Sequence, residues 1–322
     1  MRRPAKGLRA NGGSGAGGGT GVVGSLRLLA HGRDLRGRAR VPRSAEEWEE
    51  TPERTRFPTA WARTPVAGAV RYGLQRGLLK PTAWSVCAPD VEGVERLEGL
   101  RGPVVFVANH ASHLDTPLIL GSLPPRFARR IAVGAAADYF FDTPWRAVLT
   151  ALAINGFPVE RKGSNRLRSL APQLVAERWN LLLFPEGTRS EDGWMNRVRA
   201  GSAHLCCGFG IPAVPIAVRG SYAAMPRGRG WPIPGRPRVS VRYGDPLHPQ
   251  PGENAWDFNT RLATAVARLW NEEELGWYGA LREPRESAVA RPAGPPAAGS
   301  WRRSWESGRP LPPPRTLGDA ED

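Results

Sequence analysis

The sequence predicts an α/β domain with a mostly parallel central sheet that is flanked by helices. Short apolar runs rich in valine and isoleucine alternate with longer segments of helical periodicity, which is the pattern of such sheets. The chain has 322 residues, 41% of them hydrophobic, and can bury a full core. Its 38 glycines and 32 prolines crowd toward both ends. We therefore predict a folded centre at residues 51–282 between two disordered tails, residues 1–50 and residues 283–322.

Strands and helices follow in order from the alternation. The predicted strands are Pro103–Ala108, Ile131–Gly134, Leu181–Phe184, Ala213–Val218 and Val239–Tyr243. The predicted helices are Asn165–Trp179, which Ser164 caps, and Ala255–Glu274, where Phe258, Leu262, Val266 and Leu269 recur at helical spacing. Pro215, within the fourth predicted strand, indicates a bulge or an edge position. In a mostly parallel sheet, ligands are expected beyond the carboxyl ends of the strands.

An earlier helical segment, Val66–Leu79, allows two interpretations. Its apolar residues lie on one side, with arginines and aromatic residues nearby. The pattern is typical of a helix that lies on a membrane surface. It is equally typical of an amphipathic helix packed on the sheet.

The formal net charge of +15 is concentrated outside the predicted domain. Residues 1–43 hold ten basic residues and one acidic residue, and residues 283–322 hold six of each, which leaves +6 on residues 44–282. A moderately basic domain suits anionic lipids or phosphorylated substrates. Without a basic platform interleaved with aromatic residues, nucleic acid is not an expected partner.

Cysteine usage and hydropathy indicate the compartment. Three cysteines, two of them adjacent, specify neither a disulfide framework nor a metal site. No stretch reaches the ~20 apolar residues of a spanning helix. We expect a cytoplasmic protein that associates peripherally with the inner face of the plasma membrane.

Two polar turns that follow predicted strands carry candidate chemistry. The first reads Asn109-His110-Ala111-Ser112-His113-Leu114-Asp115. A carboxylate five residues after His110 can fold back on the ring, fix its tautomer and stabilise the imidazolium, as a general-base dyad requires. The second, Phe184–Ser190, combines a carboxylate, backbone N–H groups, a hydroxyl and a guanidinium, which suits an anion such as phosphate. Each pattern alone is weak evidence for a site, because ordinary polar turns without a catalytic or binding role have the same sequence.

Two further segments complete the pattern. Gly156–Lys162 ends in adjacent cations, of which Arg161 can contact a phosphate in bidentate fashion. Val214-Pro215-Ile216 carries no reactive group. In this order, the four segments resemble the motifs of the glycerolipid acyltransferase family, which includes bacterial 1-acylglycerol-3-phosphate acyltransferases. The resemblance covers roughly residues 60–275.

The resemblance implies a glycerolipid-acyltransferase-like fold and acyl transfer from acyl-CoA or acyl carrier protein to a hydroxyl of lysophosphatidic acid, which gives phosphatidic acid. It implies that His110 is the general base and that Asp115 orients it, without an acyl-enzyme, a cofactor or a metal. It also implies an acceptor and phosphate site formed by Arg161, Glu186, Gly187, Thr188 and Arg189. The expected partners are the acyl thioester, a lysophospholipid and a membrane surface.

Other interpretations remain open from the sequence. The acceptor is alternatively glycerol 3-phosphate or another lysolipid, because the phosphate motifs do not separate these. A basic protein that binds membranes or nucleic acid through residues 1–43 is a candidate from another class. His110, His113 and Asp115 could be read as a metal triad, but their spacing matches no familiar zinc motif. A serine hydrolase is disfavoured because no G-x-S-x-G turn is present.

Overall fold

The computed structural model describes residues 58–159, 170–282, 292–294 and 300–311. These residues confirm the α/β class. They form a seven-stranded sheet in the order β1-β7-β6-β2-β5-β3-β4. The strands are β1 (Ala88–Glu92), β2 (Val105–Ala108), β3 (Ile131–Ala136), β4 (Gly156–Val159), β5 (Asn180–Leu183), β6 (Ala213–Arg219) and β7 (Arg238–Tyr243).

The sheet is mostly parallel, as predicted. Strands β2 to β6 share one direction, whereas β7 pairs antiparallel with β6 and β1 pairs parallel with β7. Because β2 lies between β5 and β6, the turns after these three strands meet at one edge of the sheet. That edge carries the candidate site.

Helices cover both faces of the sheet. They are α1 (Pro65–Leu74), α2 (Lys80–Val86), α3 (Asp115–Ser122), α4 (Pro125–Ala128), α5 (Ala137–Phe140), α6 (Pro144–Ile154), α7 (Ala171–Ala176), α8 (Gly201–Phe209), α9 (Ser221–Ala224), α10 (Ala255–Arg282) and α11 (Ser300–Gly308). Alternation along β2 separates the two layers, because Phe106 faces the α3 side and Val105 faces α8 and α10. Phe258 and Leu262 are fully buried, which confirms the periodicity predicted for α10.

Helix α1 is inverted with respect to an ordinary amphipathic helix. Val66 and Val70 are exposed, at 75% and 49%, whereas Arg71 is 1% exposed and Gln75, in the π turn Gln75–Leu79 that follows α1, is 2% exposed. The Arg71 guanidinium donates to the Ala62 carbonyl, and the Gln75 amide donates to the Ala153 carbonyl at the end of α6. The helix therefore packs on the protein with its polar side and leaves an apolar side outside.

Three sequence predictions need correction. Pro215 lies in an interior strand rather than at an edge. A bulge does lie beside it, but its extra residue belongs to the opposing segment after β7, since the pairing shifts by one residue between the Ile216–Tyr243 pair and the Ala213–Leu247 bridge. The helix predicted to reach Trp179 ends at Ala176, and the first five residues of the prediction, with its predicted cap Ser164, lie outside the described residues. Strand β1 was not predicted.

The prediction of a disordered C-terminal tail is wrong for part of its length. Within residues 283–322, Ser300–Gly308 form α11, and residues 292–294 contact the domain. Polar side chains and tryptophans, rather than an apolar run, hold these residues. The predicted N-terminal tail of residues 1–50 lies outside the described residues. Among the described helices, none is both long and apolar enough to cross a membrane.

Candidate active site

A tight turn between β2 and α3 places His110 against Asp115. His110 Nδ1 lies 2.8 Å from Asp115 Oδ2. The same oxygen accepts the backbone N–H groups of Ala111 and Ser112, each at 2.8 Å. Asp115 is fully buried at the first position of α3, where an acidic residue is favoured. Three donors on one buried oxygen fix the carboxylate and, through it, the imidazole.

The other contacts of the His110 ring define its free side. The ring stacks on Phe184, with ring centroids 4.1 Å apart and planes inclined by 23°. The side chain is 17% exposed. With Nδ1 directed to Asp115, Nε2 is the nitrogen left to exchange a proton with a substrate. The structure thus brings together the two residues of the predicted dyad.

Glu186 has a different place from the predicted one. Its side chain is buried; Oε1 accepts the backbone N–H of His110 and Oε2 accepts the backbone N–H of Asn196, both at 2.9 Å. Burial raises the pKa of Glu186 to about 7, against the opposing effect of these hydrogen bonds. Glu186 therefore ties the two motif turns together, and the prediction that it contacts the acceptor is not supported by this geometry.

Gly187 shapes the second turn. Its φ of +75° lies in the left-handed region, which glycine adopts without strain. Its N–H donates to the Phe184 carbonyl at 3.0 Å. A Cβ at this position would lie 3.1 Å from the Arg199 guanidinium carbon. Gly187 therefore has a conformational role in this turn, and Arg199 is a nearby cation that the sequence analysis did not identify.

The remaining predicted residues lie at the open side of the turn. Thr188 and Arg189 are partly exposed. The N–H of the next residue, Ser190, donates to the His110 carbonyl at 2.8 Å, which places this turn beside the first motif. Burial first and the positive charge of Arg189 second lower the pKa of His113 to about 4. Arg227 donates to the Arg189 carbonyl at 3.1 Å and holds the turn from a neighbouring loop. Arg161 lies outside the described residues.

The His113 ring lies against two aromatic side chains. Its ring stacks with Tyr139 at 5.9 Å and meets the edge of Phe140 at 6.2 Å. With a pKa of about 4, it is neutral at pH 7. In the part of the chain that the structure describes, no three histidine, cysteine, aspartate or glutamate side chains form a group that could hold a metal ion.

Comparison with known proteins agrees with this geometry. Residues 88–219 match the acyltransferase family model, a range that contains both motif turns and strands β1 to β6. Over this range the chain is similar to the acyltransferase family. The matched range contains His110, Asp115 and the Glu186 turn, and α10 and α11 follow it.

Named proteins similar to this chain share one description. A 1-acyl-sn-glycerol-3-phosphate acyltransferase of Chlamydomonas reinhardtii is 30% identical over 188 residues, which cover 57% of this chain and 53% of that protein. The chloroplastic BAT2 enzyme of Brassica napus, with the same description, is 27% identical over 150 residues, or 43% of this chain and 39% of that protein. The chain spans about half the length of these curated relatives.

A solved structure supports the fold. The crystal structure of PlsC from Thermotoga maritima, a 1-acyl-sn-glycerophosphate (LPA) acyltransferase, is 25% identical to this chain with a TM-score of 0.51. The match covers 68% of this chain and 86% of that chain.

Two residues of the first motif to which the sequence assigned no role stabilise the candidate site. The Asn109 amide donates to the Val218 carbonyl at 2.8 Å and accepts the Val218 N–H at 2.7 Å, which extends the pairing of β2 with β6. Ser112 Oγ donates to the Met225 carbonyl at 2.8 Å. Both side chains are buried. Their position in a polar turn after an apolar strand was a signal, but their partners lie more than a hundred residues away.

Proposed function

We propose that this chain transfers a fatty acyl group from an acyl thioester to the free hydroxyl of lysophosphatidic acid, giving phosphatidic acid in phospholipid synthesis. The 2.8 Å bond between His110 Nδ1 and Asp115 Oδ2 carries the proposal, since it prepares Nε2 as a base at the open edge of the sheet. The descriptions of the named relatives support the acceptor class.

The proposed reaction balances without an acyl-enzyme. His110 Nε2 takes the proton of the acceptor hydroxyl as its oxygen attacks the thioester carbonyl carbon. The negative charge of Asp115 stabilises the imidazolium that forms. The C–S bond then breaks, and the leaving thiolate takes the proton back from His110. Because the thioester supplies an activated acyl group, the chemistry requires no cofactor; the donor is acyl-CoA or acyl carrier protein.

The acceptor phosphate is assigned to the cations beside the second turn. Arg189 lies near the first motif, and the Arg199 guanidinium lies against Gly187. Thr188 offers a hydroxyl at the same turn. A guanidinium can hold a phosphate in bidentate fashion. Arg161 stays a proposed contributor on the resemblance of its motif.

The inverted helix α1 favours a membrane surface as the place of reaction. Val66 and Val70 on α1 and Trp145 and Leu149 on α6 are exposed, and the Gln75 amide joins these helices. A layer of exposed valine, leucine and tryptophan fits the apolar boundary of a bilayer. We propose peripheral association with the inner face of the plasma membrane. The free thiols of Cys87, Cys206 and Cys207 are consistent with the reducing environment on that side.

A direct assay tests the proposed reaction. The purified chain is incubated with a long-chain acyl-CoA and, in parallel, with lysophosphatidic acid, glycerol 3-phosphate or no acceptor, and both thiol release and the lipid product are measured. The expected result is thiol release that requires lysophosphatidic acid, together with phosphatidic acid. Product from glycerol 3-phosphate alone would overturn the acceptor assignment. Repeating the assay with acyl carrier protein thioesters distinguishes the donor.

A further inference from the structure

The C-terminal residues 292–294 and 300–311, which we call the C-terminal strap, contact the second motif turn. The Met195 N–H donates to the Pro292 carbonyl at 3.1 Å, and Trp194 Nε1 donates to the Arg303 carbonyl at 3.2 Å. A Cβ on Gly193 would lie 2.7 Å from the Ser307 Cβ. The strap lies outside residues 88–219, so the family match does not account for these contacts.

Arg303 makes the strongest of these contacts. Its Nε and Nη2 donate to Asp192 Oδ2 at 2.8 and 2.6 Å. The Arg303 side chain is 19% exposed and that of Asp192 is 30% exposed, so solvent weakens this pair only in part. Burial acts to raise the pKa of Asp192, but the hydrogen bonds from Arg303, Trp194 and Ser190, together with the positive charge of Arg303, lower it overall, which keeps the carboxylate charged.

Asp192 passes this restraint to the catalytic turn. Its second oxygen, Oδ1, accepts the Ser190 hydroxyl at 3.1 Å and the Trp194 N–H at 3.2 Å. The Ser190 N–H in turn donates to the His110 carbonyl at 2.8 Å. A continuous set of hydrogen bonds therefore runs from α11 to the backbone of the proposed base.

The strap also forms part of a wall beside the acceptor turn. A cavity of about 240 Å³ lies between the second motif turn and the strap, and Thr188, Asn196, Ala293 and Arg303 are among its lining residues. Thr188 belongs to the turn assigned to the acceptor. Displacement of the strap would thus change both the shape of this cavity and the freedom of the turn.

We propose that Arg303 is a positioning residue for acyl transfer, which holds Asp192 and, through Ser190, the turn that carries Arg189 and contacts His110. The kinetic consequence of this proposal rests on the proposed function. Arg303 touches no reacting atom; it acts by restricting the turn. A rigid turn lowers the ordering cost of binding the acceptor, so loss of Arg303 raises the acceptor KM more than the donor KM.

The test compares Arg303→Gln with Arg302→Gln in the full chain. Arg302 is the neighbouring residue of α11, but it pairs with Glu306 on the same helix and is 62% exposed. We expect Arg303→Gln to raise the acceptor KM about tenfold, the size of effect that follows loss of a charge-assisted hydrogen bond, with an unchanged donor KM. Arg303→Lys should recover part of the loss, and Arg302→Gln should match wild type. Equal KM values for Arg303→Gln and Arg302→Gln would overturn the proposal.

A double-mutant cycle tests the path itself. Asp192→Asn alone should raise the acceptor KM to a similar extent, and adding Arg303→Gln to it should have no further effect, because both changes break one link. Additive effects would show that Arg303 acts by another route. Asp192→Asn keeps the size of the side chain and provides the test if Arg303→Gln lowers the melting temperature.

Hydrogen exchange separates this proposal from the proposed function. Amide exchange in residues 186–196 should quicken in Arg303→Gln and not in Arg302→Gln. If the wild-type chain transfers no acyl group, the proposed function fails while this measurement still tests the strap. Unchanged exchange in Arg303→Gln would contradict the positioning role whatever the activity.

Discussion

Replacement of Asp115 by asparagine isolates the charge of the dyad from its geometry. Two backbone N–H groups, those of Ala111 and Ser112, point at Asp115 Oδ2 from 2.8 Å. In Asp115→Asn these donors select the amide oxygen for that position, because an amide NH2 group there would face two other donors. Full burial keeps the side chain in its rotamer. The amide oxygen still accepts His110 Nδ1–H, so the tautomer is retained and the negative charge alone is lost.

The magnitude follows from the distance between the charges. Nδ1 and Oδ2 are 2.8 Å apart, which places the charge centres of the imidazolium and carboxylate about 4 Å apart. At an effective dielectric constant of ~20, their attraction has an upper bound of about 4 kcal/mol, or roughly 10³-fold in rate. Exchange of a charged for a neutral acceptor gives a lower value of about 1–2 kcal/mol. We therefore expect kcat to fall by between about fivefold and about 10³-fold.

The assay measures kcat at saturating donor and acceptor, with thermal unfolding to check the fold. Asp245→Asn is the matched control, because its side chain is 81% exposed and it follows β7, whose antiparallel course ends at the opposite edge of the sheet. The control should retain wild-type kcat. A fall of less than about fivefold in a folded Asp115→Asn protein would refute the role of the carboxylate charge and leave Asp115 as a structural residue.

Three further predictions concern the second turn. Arg189→Ala should raise the acceptor KM by about tenfold to a hundredfold through loss of a charge-assisted phosphate contact, while a rise in donor KM instead would contradict the phosphate assignment. Gly187→Ala should destabilise the fold by about 1–2 kcal/mol in denaturant unfolding, because φ is +75° and the Arg199 guanidinium must shift; unchanged stability would rule out this constraint. The pKa of Glu186 is about 7 in the folded state and 4.5 in a free side chain, so the folded state holds more protons between these pH values. Wild type should therefore lose stability relative to Glu186→Gln as the pH rises from 4.5 to 7. A stability difference that does not change across this range in thermal melts would disprove the raised pKa.

The sequence was informative where local pattern and chemistry coincide. The five predicted strands are present within two residues of their predicted ends, because each is an apolar run that stops at a turn signal. His110 and Asp115 meet because a short turn can bring them together without help from distant residues. Such features depend on residues that are close in the chain and can therefore be predicted from a single sequence.

Long-range polar contacts were not predictable in the same way. Strand β1, Ala-Pro-Asp-Val-Glu, has no apolar run; Asp90 pairs with Arg238 and Glu92 with Arg242 of β7. A carboxylate in a polar turn is typical of a ligand contact, which is why the sequence predicts that role for Glu186. Its actual partners, the backbone N–H groups of His110 and Asn196, depend on tertiary packing and are not visible in the sequence. The C-terminal strap was not predicted, because its contacts are polar and long-range and the surrounding sequence is rich in proline.

The proposed mechanism depends most directly on His110 as the base. The decisive measurement is the rate of phosphatidic acid formation from acyl thioester and lysophosphatidic acid by His110→Ala, at protein concentrations where wild type is readily measured. With a melting temperature near that of wild type, the variant is predicted to lose about 10²-fold to 10⁴-fold in kcat, the contribution of a positioned general base. A folded variant that retains turnover within a fewfold of wild type would contradict the proposed mechanism.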